Sequence, residues 1–158
     1  MLESSELYYR VKQLYDAYGD CIDEARYDQW PDFFEDDCFY QITTREAYLK
    51  KLPIGIIQCN SKGMMIDRIN SMHRANIFEP HRYRHLLGAM RAELAEDGVV
   101  RSRMGFGVVR TMESGDSSLF LSGVWYDEIV ETTQGLRFRK KVAVLDSSRV
   151  DTLIVVPV

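Results

Sequence analysis

Apolar side chains at Leu7, Val11, Leu14, Tyr15, Tyr18, Ile22 and Ala25 recur three and four apart, so residues 5–26 are predicted to form an amphipathic helix capped by Ser4 or Ser5. A short aromatic helical turn follows, in which Trp30, Phe33 and Phe34 share a face, Pro31 occupies the first turn and Asp28 is placed to cap it. The period then changes to two. Cys38, Tyr40 and Ile42 point one way while Phe39, Gln41 and Thr43 point the other, as a half-buried strand requires. Residues 45–53 read as irregular, with Pro53 and Gly55 as breakers, and 54–59 as a short strand. Asn60 or Ser61 is expected to cap a further helix ending near Ala75, with Met65, Ile69 and Met72 buried and Asp67, Arg68 and Arg74 solvated.

From His81 the helical period disappears, and four or five antiparallel strands are expected, separated by turns at Asp97-Gly98, Ser114-Gly115-Asp116 and Gln134-Gly135. The first sets His81, Tyr83, His85 and Leu87 on one face and Arg82, Arg84 and Leu86 on the other. Residues 99–112 alternate through Val100, Met104, Phe106 and Val108. Residues 119–131 carry Phe120, Val124 and Tyr126, and 138–145 carry Val142 and Val144. Gly105, Gly107 and Gly123 mark bulges or close approaches within these runs. The apolar segment 150–158 calls for a cover of sheet, helix or a second subunit. Helices first and a long meander second describe an α+β domain, its helices gathered on the concave face of a curved sheet, and such a cone leaves room for a pocket.

A chain of 158 residues fits one domain, 1–158. Its 46% hydrophobic and 28% charged content is that of a folded globule, and no apolar run approaches the roughly 20 residues of a membrane span. The acidic start, without a basic region or apolar core, points to a cytoplasmic protein rather than a secreted one. Three widely spaced cysteines, Cys21, Cys38 and Cys59, offer neither a disulfide framework nor the paired ligands of a zinc or iron–sulfur centre. The net charge of −4 disfavours nucleic-acid binding.

Glu79, His81 and His85 supply two imidazoles and a carboxylate, the inventory of a non-haem iron site. On a strand, however, positions four apart stand about 13 Å apart and do not share one metal. Arg82 and Arg84 suit bidentate pairing with carboxylates, of this chain or of a partner, and the alternative is a solvated strand face. Arg137-Phe138-Arg139-Lys140-Lys141 forms a second basic run, read as one charged sheet face toward an acidic partner. Within a cone pocket, Asp28 or Asp16 would serve as base, Tyr15, Tyr18 or Tyr40 as hydrogen-bond donor and His85 as acid or base. Each has a structural alternative: a cap for Asp28, core packing for the tyrosines. No nucleophile elbow, phosphate loop or dinucleotide fingerprint occurs.

Three segments carry a family likeness: Trp30 to Ile42, Glu79-Pro80-His81-Arg82-Tyr83-Arg84-His85-Leu86-Leu87-Gly88 preceded by Asp67-Arg68-Ile69, and Ala143 to Leu153. Together they resemble the small (beta) subunit of bacterial aromatic-ring-hydroxylating dioxygenases, nearest to those acting on aromatic carboxylic acids of the terephthalate, salicylate or anthranilate type. The resemblance implies an NTF2-like (cystatin-like) α+β cone and a non-catalytic structural subunit, with no catalytic residue and no metal in this chain. It implies that a large (alpha) subunit carries the Rieske 2Fe-2S cluster and the mononuclear non-haem iron, that three large and three small subunits assemble, and that NADH acts through a reductase, with or without a ferredoxin. The residues expected at the subunit interface are Arg82, Arg84 and His85 with Arg137, Arg139 and Lys141. The competing expectation is a stand-alone isomerase or dehydratase with a ligand-sized cavity, a reading that fails if Tyr15, Tyr18, Phe34 and Met65 fill the cone.

Overall fold

A computed structural model describes residues 4–75, 79–149, 154 and 156–158. Helix α1 (Ser4–Asp23) turns Leu7, Val11, Leu14, Tyr15, Tyr18 and Ile22 inward, as the three-and-four spacing demands. Both candidate cap serines lie inside its first turn. The helix ends before Ala25, which adopts a left-handed φ of 58°.

The aromatic turn is a 3-10 helix, Tyr27–Phe33, that buries Trp30 and Pro31. Asp28 is not its cap: Arg26 holds the N-cap position without a side-chain bond, and the Asp28 carboxylate meets His73 Nε2 at 2.9 Å. Strand β1 (Phe34–Thr44) follows, with Cys38, Tyr40 and Ile42 inward. The stretch expected to be irregular begins with a short helix, α2 (Arg45–Leu49), nucleated by Thr44 Oγ1, which accepts from Ala47 N at 3.2 Å. Strand β2 (Ile57–Cys59) is shorter than expected, and α3 (Lys62–Ala75) is capped by Ser61 Oγ, which accepts from Met64 N at 3.2 Å.

Four long strands complete the sheet: β3 (His81–Leu94), β4 (Val100–Met112), β5 (Ser117–Thr132) and β6 (Gly135–Leu145). The order is β2-β1-β6-β5-β4-β3, antiparallel throughout except for the parallel β1–β6 pair. In β5 the inward phase is opposite to the expected one. Leu121, Trp125 and Ile129 face the core, with Phe120, the extra residue of a β4–β5 bulge, packed beside them, while Val124 and Tyr126 line the other side. At Gly123 a Cβ would stand 2.2 Å from the Val144 carbonyl oxygen, so β6 approaches there closely enough to demand glycine.

Register shifts interrupt four strand pairs, and the one between β5 and β6 matters most. Ile129 faces Phe138 and Glu128 faces Lys140, which leaves Arg139 as the extra residue of a bulge. The bulge reverses the alternation of β6. Phe138, Lys141, Ala143 and Leu145 therefore all meet the core.

Candidate functional site

The concave side of the sheet is filled. Tyr15, Tyr18, Trp30, Phe34, Tyr40, Met65 and Phe138 are all fully buried there, locked by edge-to-face contacts of Tyr18 with Trp125 and Phe138 and of Trp30 with Tyr40. The chain's end closes it. The Val158 carbonyl accepts from Tyr40 Oη at 2.7 Å and from Tyr18 Oη at 3.1 Å, and Arg68, expected to be solvated, reaches the Ile154 carbonyl. Ile154, Val156 and Val158 are buried, so these described residues of the apolar C-terminal segment are covered by the cone itself. The remaining residues of that segment, 150–153 and 155, lie outside the described ones.

Within this aromatic interior lies a polar cluster that periodicity alone does not predict. Lys141 Nζ donates to Asp127 Oδ2 at 2.9 Å, and both side chains are 0% exposed. Tyr15 Oη donates to the same oxygen at 2.6 Å and stands 2.8 Å from Ser102 Oγ. The ammonium also sits over the rings of Trp125 at 3.8 Å, Phe138 at 4.3 Å and Tyr18 at 4.6 Å. Burial pushes Lys141 down to about 8 against the pull of Asp127, and burial raises the Asp127 carboxyl against the pull of Lys141. Burial, reinforced by the Asp127 charge, likewise raises Tyr15.

A second buried pair joins α1 to β3. The Asp23 carboxylate accepts from the His85 backbone N–H at 3.0 Å and from His85 Nδ1 at 2.6 Å, which leaves Nε2 facing inward without a hydrogen-bond partner among the described residues. The His85 side chain is 1% exposed. Arg84, on the opposite face, reaches the same carboxylate only at 4.0 Å and keeps 61% of its side chain in solvent.

These positions divide the expected interface residues. Lys141 and His85 are buried, the first turned inward by a bulge and the second bonded to Asp23. Arg82 and Arg84 remain exposed, and Arg137 and Arg139 are partly so, Arg139 being bonded to Glu128 at 3.0 Å. The candidate base Asp16 is exposed and paired with Lys12, and Asp28 is exposed beside His73. Tyr15, Tyr18 and Tyr40 are hydrogen-bonded inside the core. Glu79 contributes its carbonyl rather than its carboxylate to His81, through Nδ1 at 2.8 Å. No three His, Cys, Asp or Glu side chains gather to hold a metal among the described residues. Tyr15, Tyr18, Phe34 and Met65, the residues whose packing would fill the cone, are all buried in its interior.

Asp127, Ser102 and Asp23 are the polar residues missed from the sequence. Asp127 was within reach: it continues the apolar odd-numbered phase of Leu121, Trp125 and Ile129, where an acid signals a buried partner. No comparable signal marks Lys141, because the bulge at Arg139 has no distinctive residue.

Similarity to known proteins agrees with this arrangement. Residues 3–142 match the SnoaL-like domain. The chain is 34% identical over its whole length to the small subunit of anthranilate 1,2-dioxygenase from Burkholderia cepacia, covering 98% of that protein. It is 36% identical over 141 residues, 89% of this chain and 92% of the other, to subunit beta 1 of the terminal oxygenase component of terephthalate 1,2-dioxygenase from Comamonas sp.. Among solved structures, one described as the beta subunit of an aromatic-ring-hydroxylating dioxygenase from Novosphingobium aromaticivorans superposes with a TM-score of 0.85 at 30% identity, covering 95% of each chain. The benzoate 1,2-dioxygenase beta subunit from Burkholderia mallei shares the fold, with a TM-score of 0.72 at 15% identity over 92% of each chain. The chain thus belongs to the SnoaL-like, NTF2-like domains and, within them, to the small subunits of aromatic-ring-hydroxylating dioxygenases.

Proposed function

We propose that this chain is the non-catalytic scaffold of a terminal oxygenase that hydroxylates an aromatic carboxylic acid in the cytoplasm. The observation that carries the reading is the filled cone. Where a pocket enzyme of this fold would admit substrate, the rings of Tyr15, Tyr18, Trp30, Phe34 and Tyr40 are buried among the described residues, and the buried ionisable groups are bonded in two pairs, Asp23 with His85 and Asp127 with Lys141. Such groups stiffen a body rather than exchange protons with a ligand. The anthranilate and terephthalate names of the relatives support the substrate class.

The large subunit then holds the Rieske cluster and the mononuclear iron, and NADH enters through a reductase, with or without a ferredoxin. The assembly takes three large and three small chains. The small chain's contribution is to fix the relative placement of the large ones, which is positioning rather than chemistry. Arg82 and Arg84, exposed on β3, are the residues of this surface best placed to meet an acidic rim on the large chain. Co-expression with the large chain, followed by mass determination on a sizing column in mild salt, tests the reading. A heteromer weakened by Arg82→Ala/Arg84→Ala is expected, and recovery of free small chain alone would refute it.

A further inference from the structure

Residues near the end of the chain sit in the cone in the manner of a ligand. Ile154, Val156 and Val158 are buried, and the polar ties that hold them converge on the aromatic wall. Tyr40 Oη donates to the Val158 carbonyl at 2.7 Å and accepts from the Val158 N–H at 3.1 Å, so one hydroxyl clamps both backbone groups of a single residue. Tyr18 Oη donates to the same carbonyl at 3.1 Å, and behind it Trp30 Nε1 donates to Tyr18 Oη at 3.0 Å. Arg68 on α3 holds the other end of the segment through the Ile154 carbonyl, at 3.3 Å.

The walls of this site are fixed by contacts that do not pass through residues 154–158. Trp30 packs edge-to-face on Tyr40 at 5.0 Å and on Phe34 at 5.9 Å, and Tyr18 packs in the same way on Trp125 and Phe138, at 5.5 Å each. Arg68 is carried by α3, which is anchored through Met65 and Ile69. Two hydroxyls aimed at one oxygen by rings that brace one another form a preorganised site. We propose that this site binds a short apolar peptide segment as a ligand, that residues 154–158 are its resident occupant, and that it takes the same segment from solution when the chain's own copy is absent. The Val158 carbonyl and N–H supply the polar recognition, and the branched side chains of Ile154, Val156 and Val158 supply the apolar contact. The inference rests on the packing of the cone and not on the partnership with a large chain.

Fluorescence anisotropy of a peptide of residues 154–158, labelled at its N-terminus, reads the site in a chain shortened to end at residue 153, whose fold is checked by circular dichroism. The shortened chain is expected to bind the peptide saturably and to melt at a temperature that rises with peptide concentration, while the full chain, its site occupied, binds none. Tyr40→Phe in the shortened chain removes the hydroxyl that makes two of the bonds and is expected to weaken binding at least tenfold. Tyr18→Phe removes one and is expected to cost less, and Arg139→Ala, on the outer face, to cost nothing. A folded shortened chain that leaves the peptide free overturns the proposal, as does binding that Tyr40→Phe leaves unchanged. Should the shortened chain not fold, the full chain with a protease site inserted after Arg149 replaces it. A cut chain that stays folded and exchanges its released tail for the labelled peptide supports the proposal, whereas one that unfolds on losing the tail, or never exchanges it, overturns it. Neither result bears on the scaffold reading, which co-expression with the large chain tests separately.

Discussion

Arg139 and Lys141 stand two residues apart on β6 and pair with the adjacent acids Glu128 and Asp127 on β5, at 3.0 and 2.9 Å. The distances are nearly equal, but the surroundings are not. Arg139 and Glu128 keep 40% and 28% of their side chains in water, whereas Lys141 and Asp127 keep none. Water screens the first pair, so it contributes little. The second is held in an aromatic cage, where each ion depends on the other and on Tyr15 for its solvation. A single bulge residue sends one basic side chain outward and the other into the core, and distance alone says nothing of the difference in energy.

Breaking the buried pair gives the largest expected effect. Asp127→Ala leaves the Lys141 ammonium without a counter-ion and should destabilise the fold by about 3–5 kcal/mol in urea unfolding. The clasp between α1 and β3 comes next. Asp23→Ala strips the acceptor from the His85 backbone and ring donors and should cost about 1–3 kcal/mol, read the same way.

A pH series sharpens the contrast without changing the packing. Burial holds Lys141 at about 8 in the folded chain, against an ordinary 10.5. Below about 8 both states carry the proton. Between about 8 and 10.5 the unfolded chain binds a proton that the folded chain has shed, so stability rises with pH, by at most about 1.4 kcal/mol per unit. The rise should be absent in Lys141→Met. The difference between wild type and Lys141→Met from pH 7.5 to 9.5 isolates it, because the buried Cys21, Cys38 and Cys59 and, above about 10, Tyr15 and Tyr18, all raised by burial, act in the opposite sense in both chains and cancel. The smallest effect belongs to the surface pair. Arg139→Ala should change unfolding by no more than about 1 kcal/mol and should lose even that in high salt.

Most of the architecture is legible in the order of residues, because burial imposes a period. The inward faces of α1, α3, β1 and β4 follow directly from the spacing of Leu7 to Ile22, Met65 to Met72, Cys38 to Ile42 and Val100 to Val108. Strand β5 misleads because both its phases are apolar, Val124 and Tyr126 competing with Leu121, Trp125 and Ile129, and because a bulge turns Phe120 toward the core. Strand β6 misleads for a different reason, since the bulge at Arg139 reverses its alternation. The site followed the same pattern. Arg82 and Arg84 lie outward as β3 alternation requires, while the polar cluster of Asp127, Lys141, Tyr15 and Ser102 depends on contacts from three strands and a helix far apart in sequence.

The central claim is that the buried polar groups of this chain hold its shape and take no part in turnover. Asp127→Leu/Lys141→Met replaces the pair with apolar groups of similar volume, an exchange that commonly leaves stability level or improved. The decisive measurement is the turnover of the reconstituted oxygenase, with the large chain and its electron donors, carrying this small chain in place of the wild type. The account predicts unchanged assembly and unchanged turnover. An intact assembly whose turnover falls tenfold or more would contradict it.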